Sequence, residues 1–126
     1  MPVIDFEIGE FGKRLGIDGL SLNDRSAAGL VIDGVGTLTL ERLESPSGVG
    51  EPELLVVLSR TIEPSESARY GALLSRIHWR RHPAAALCAG LFRNELILST
   101  RIPQRRVTAS ALENTLRLLS AELSAV

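Results

Sequence analysis

The sequence predicts an α+β fold: a mainly antiparallel five-stranded sheet with three helices, in the order α-β-β-β-α-β-β-α. Two observations predict the architecture. Strand-length apolar segments fall into two groups, with helical stripes before, between and after them. Each group contains a turn-forming pair, Asp33-Gly34 or Arg93-Asn94, and segregated strands joined by tight turns make an antiparallel sheet with helices on one face. A third observation is length. The 126 residues suffice for one core and would hardly build two, so residues 1–126 are expected to form one domain.

The elements follow in order. Ile4, Ile8, Phe11 and Leu15 recur as one stripe of a first helix. Gly9, Gly12 and Gly16 weaken its propensity, so it must draw much of its stability from packing. From Ala27 to Leu43 the chain reads as a hairpin: Leu30 and Ile32 alternate, Asp33-Gly34 turns, and Thr37 to Leu40 alternate again. Ser45 to Pro52, with two prolines and two glycines, is a loop. Leu54 to Leu58 is a continuous apolar run suited to a central strand covered on both faces.

Pro64 suits a first helical turn, and Tyr70, Leu73, Leu74 and Ile77 give a middle helix its stripe, which Pro83 ends. Ala84–Phe92 and Glu95–Ile102 form a second hairpin, ended by Pro103. Ser110 and Glu113 read as a capping box for a last helix carrying Leu112, Leu116, Leu119 and Leu123.

Composition narrows the classes of function. No apolar run reaches the roughly 18 to 20 residues that cross a bilayer, and the first residues, with Asp5, Glu7 and Glu10, do not resemble a signal peptide. Cys88 is the one cysteine, so no internal disulfide forms, and a cytoplasmic location with no membrane partner is expected. Net charge is −1, yet residues 1–66 carry −7 and residues 67–126 carry +6. An uneven field of this kind steers partners or holds copies together.

Catalytic and metal motifs are weak. His78 and His82 share the spacing of two ligands on one helical face. No Glu follows the first histidine and no third ligand is evident unless Cys88 reaches back, so a solvated helix end accounts for them. Cys88 lies inside an apolar strand, no serine sits in G-x-S-x-G, and Gly34-Val35-Gly36 does not continue into a phosphate cradle. No enzyme activity, metal or cofactor is expected. Arg80, Arg81, Arg101, Arg105 and Arg106 suggest the alternative of a small nucleic-acid-binding or regulatory protein using the basic C-terminal half. An overall pI near 6.1 and strands without RNA-stacking aromatics point away from nucleic acid.

What remains is apolar surface. Tyr70, Leu73, Leu74, Ile77 and Trp79 occupy more than one side of the middle helix. A helix that is apolar beyond one stripe is either deeply buried or shared with a partner, and a twofold homodimer is the commonest way to share it.

Three stretches then resemble the class I (Tir chaperone-like) chaperones of bacterial type III secretion. They are the helix end Phe11-Gly-Lys-Arg-Leu-Gly-Ile, the hairpin from Leu30 to Glu41, and Leu96-Ile-Leu-Ser-Thr-Arg-Ile-Pro followed by Leu112-Glu-Asn-Thr-Leu-Arg-Leu-Leu. With the element order, the resemblance spans essentially the whole chain. It implies a homodimer, working without ATP, that keeps the N-terminal segment of a secreted effector soluble and competent for export.

By that resemblance the dimer interface would take Tyr70, Leu73, Leu74, Ile77, Leu87, Ala89 and Leu91. The effector-binding groove would draw on Ile4, Ile8, Phe11, Leu30, Ile32, Leu38 and Leu40, some of which must be core instead. The chain departs from the family in its near-neutral charge, its arginine-rich second half and the lack of a glycine-rich approach before the fourth strand. The charge split would serve effector docking, contact with the secretion ATPase, or neither.

Overall fold

The computed structural model describes residues 2–45, 48–63, 65, 71 and 87–124. Helix α1 (Pro2–Arg14) is followed by strands β1 (Ala27–Ile32), β2 (Gly36–Leu43) and β3 (Glu53–Thr61). Strands β4 (Cys88–Phe92) and β5 (Glu95–Pro103), a 3-10 turn (Gln104–Arg106) and helix α2 (Ala109–Ser124) complete the order. The expected middle helix, with Tyr70, Leu73, Leu74 and Ile77, lies outside the described residues, as do His78, His82 and Ala84–Ala86 of the expected fourth strand.

The sheet is antiparallel at every pairing, in the order β1-β2-β3-β5-β4. Register follows from the alternation of apolar side chains. Leu38 pairs with Leu58, and Leu58 with Leu98, so one face carries leucine on three adjacent strands. Leu40, Val56, Leu54 and Leu96 extend that face, all at 0–1% exposure. Ile4, Ile8 and Phe11 of α1 and Leu112, Leu119 and Leu123 of α2 close over it. The core is therefore one layer between two helices and one sheet face. β3 lies in the centre as expected, and its other face keeps Leu55 and Val57 half-buried.

Two glycines are required by close approach. A Cβ on Gly12 would stand 2.7 Å from Leu20 Cβ, so glycine here lets the 15–22 segment lie against α1. A Cβ on Gly36, where φ is +151°, would meet the Ser59 carbonyl oxygen at 2.2 Å. The low helix propensity of α1 thus buys a tertiary contact.

The start of α2 differs from the expected Ser110–Glu113 box. The Ala111 N–H donates to Thr108 Oγ1 at 3.0 Å, making Thr108 the cap. The Ala109 N–H donates to Glu7 Oε1 of α1 at 2.8 Å, which fixes the helix start and ties it to the other helix. Ser110 lies in the first turn and accepts from Arg14 Nη1 at 3.1 Å. Glu113 meets Arg14 and Arg117. Both hydroxyls are good caps, and the carboxylate supplied by α1 decides between them. Replacing Thr108 by Ala is expected to lower stability by about 1 kcal/mol, read as a lower urea midpoint with an unchanged m-value. Ser110→Ala should shift it less.

Candidate protein-binding edges

Natural sheets usually guard their outer strands with charge, proline or a bulge, because an unpaired edge is a template for another chain. This sheet inverts that pattern. Both outer strands, β1 (AAGLVI) and β4 (CAGLF), have no charged residue and no proline. The inner strands carry the charges: Glu41 and Arg42, Glu53 and Arg60, Glu95 and Arg101.

The free side of β1 can be derived from one bond. Arg42 N–H donates to the Ser26 carbonyl at 2.9 Å. Hydrogen-bonded pairs alternate along an antiparallel ladder, so Ala28, Leu30 and Ile32 face β2 with their backbone groups. Gly29 and Val31 aim theirs away from it. Val31 is 75% exposed, while Leu30 and Ile32 turn their half-buried side chains toward the helices. A pocket of about 300 Å³ adjoins the end of this edge, lined by Ile32 and Val35 of the hairpin and Leu116, Arg117, Ser120 and Ala121 of α2. Chemically this is a place for an extended chain: backbone donors and acceptors along β1, and a mostly apolar hollow for one anchoring side chain.

The opposite edge, β4, pairs only with β5 among the described residues. Leu91 and Phe92 are exposed at 41% and 62%, and the Arg93 guanidinium sits 5.3 Å from the centre of the Phe92 ring. Cys88 is exposed.

The residues expected to line a groove divide. Ile4, Ile8, Leu38 and Leu40 are 0% exposed and Phe11 is 1% exposed. They face one another inside the core, so their side chains line no open surface. Their stripes are apolar because the chain's own helices cover its own sheet. Leu30 and Ile32, partly buried at the β1 edge, are the two that border open space. Of the residues expected at a dimer contact, Leu87 and Ala89 are half-buried and Leu91 is exposed. Sequence reasoning missed Val31, Val35, Leu116, Ala121 and Phe92. The absence of charge from β1 and β4 was a signal in the sequence, but only the pairing order makes β4 an edge.

Among the described residues, no three of His, Cys, Asp and Glu come together as a metal-ligand group, and no helix is long and apolar enough to cross a membrane.

No protein-family model and no curated protein matches the chain. Solved structures do. The Yersinia pestis type III secretion chaperone SycH, in complex with a stable fragment of YscM2, superposes with a TM-score of 0.68 at 16% identity, over 96% of this chain and 98% of that one. The HopA1–SchA chaperone–effector complex gives 0.61 at 18% identity, over 90% and 84%. YbjN of E. coli, assigned provisionally as a transcription regulator, gives 0.51 at 16% identity, over 92% and 82%. Identities this low establish the fold and leave function to the site. The chain has the fold of the class I type III secretion chaperones.

Proposed function

We propose that this protein is a dimeric, ATP-independent chaperone that binds the N-terminal segment of a type III secretion effector and keeps it soluble and export-competent. The uncharged edge strand β1 carries the reading. A six-residue apolar edge with Val31 exposed is an aggregation hazard in a protein that has no use for it. In a chaperone it is the binding element: a disordered segment adds a strand to the edge and sets an apolar side chain in the pocket beside Ile32. Ordering that segment costs several kcal/mol, which keeps the complex reversible and suits later release.

The second uncharged edge supports the dimer. We assign Leu87, just before β4, and Ala89 and Leu91 of β4 to the twofold contact, together with Tyr70, Leu73, Leu74 and Ile77 of the middle segment. Light scattering should report about twice the 13.6 kDa chain mass; a clean monomer at micromolar concentration would count against this assignment. Copurification with mass spectrometry of the bound protein tests the effector, and recovery of the chain alone from cells expressing a cognate secretion system would sink it.

The described arginines weigh against the nucleic-acid reading. Of the arginines on which that reading rests, Arg105 meets Glu51 closely and Arg101 stands 3.8 Å from Glu53, so part of the basic charge is answered within the chain. Salt-sensitive retention on heparin would revive that alternative.

A further inference from the structure

A second cleft, of about 480 Å³, lies between the end of β5 and α2. Ile102, Ala111 and Leu118 give it apolar walls, and Arg106 and Asn114 stand around them; Arg101 adjoins it along β5 while its side chain turns to the other sheet face, beside Glu53. The three arginines at this end of the sheet are in different states. Arg105 Nη1 donates to both oxygens of Glu51, at 2.8 and 3.0 Å. Arg101 stands 3.8 Å from Glu53 with its side chain 60% exposed. Arg106, also exposed, makes no ion pair with any described residue.

We infer that this cleft binds an acidic side chain of a partner's extended segment, with the aliphatic residues next to it on the apolar walls. The charge points to the ligand. A guanidinium with no carboxylate of its own, beside an amide, offers the planar donors that a carboxylate takes in pairs. The apolar walls ask for hydrocarbon next to that carboxylate. The shape points to a chain. One wall is a strand, the other a helix face with Ala111, Asn114 and Leu118 at i, i+3 and i+7. An exposed cleft of this kind covers less of a small ligand than the enclosed pockets that bind one. The inference does not rest on the effector reading, since it involves neither the β1 edge nor secretion.

The test uses the isotope-labelled full chain and three probes. These are a blocked six-residue peptide alternating leucine and glutamate, the same peptide with glutamine for glutamate, and hexanoate. The acidic peptide should shift the amides of residues 100–106 and 111–118 saturably. The glutamine peptide should bind at least about tenfold more weakly, and Arg106→Gln should weaken the acidic peptide by about tenfold, with its melting temperature unchanged. Asn114→Ala, on the helix wall of the cleft, is read in the same way and provides a second variant. Equal binding of the glutamine peptide, or no effect of either substitution, would overturn the inference. So would hexanoate binding as tightly as the peptide, which would make the cleft a small-carboxylate site, and so would the absence of shifts at millimolar peptide.

Discussion

Phe11→Asp is expected to unfold the protein, while Phe6→Asp, on the same helix, leaves it folded. Phe11 is 1% exposed and packs in the layer formed by α1, α2 and the sheet; Phe6 is 62% exposed. Removing a buried phenylalanine costs about 3–5 kcal/mol. Leaving a carboxylate in its place adds several more, or forces it to take a proton. Small domains hold only about 5–15 kcal/mol in all, so the loss consumes most of the stability. A surface change such as Phe6→Asp stays within about 0.5 kcal/mol. Far-UV circular dichroism and urea titration read the difference. A cooperative native transition in Phe11→Asp would mean that Phe11 lines an accessible groove and that the core closes without it. Binding lost in a folded Phe6→Asp would place a partner on the outer face of α1.

The same contrast shows what the sequence could reveal. The Ile4-Ile8-Phe11 stripe is a local pattern, so the helix and its buried face were legible. A stripe does not say what covers it. Here the cover is α2, about a hundred residues away, whose start is held by Glu7 through the Ala109 N–H. For the same reason Thr108, not Ser110, caps α2: two equivalent hydroxyls were separated by a contact from another element. The 27–43 hairpin was legible in full because Asp33-Gly34 and the flanking alternation are local. The edges were half legible. The lack of charge in β1 and β4 is in the sequence, but β4 becomes an edge only because β5 inserts between it and β3. Strand order is a property of pairing over distance, which no window of residues contains.

Val31→Pro is expected to abolish strand addition at β1 without unfolding the sheet. Val31 directs its N–H away from β2, by alternation from the Arg42–Ser26 bond. Proline there removes a donor that no described strand uses, which an edge strand tolerates. The ring also blocks the approach of a second backbone. On the proposed function, affinity for the bound segment should fall at least about tenfold, since one hydrogen bond is lost and its neighbours are displaced. Val31→Thr keeps the N–H and the β-branched shape, and should bind nearly as well as the parent. Thr39→Pro makes the opposite case. Thr39 sits on β2 with partners on both sides, Gly29 and Val57, so its proline costs about 3 kcal/mol or more through the broken ladder. Calorimetric titration of the segment into each variant, with a melting curve for each, separates backbone recognition from simple damage. If folded Val31→Pro binds as tightly as the parent, the partner does not use β1, and the absence of charge from that edge has another cause.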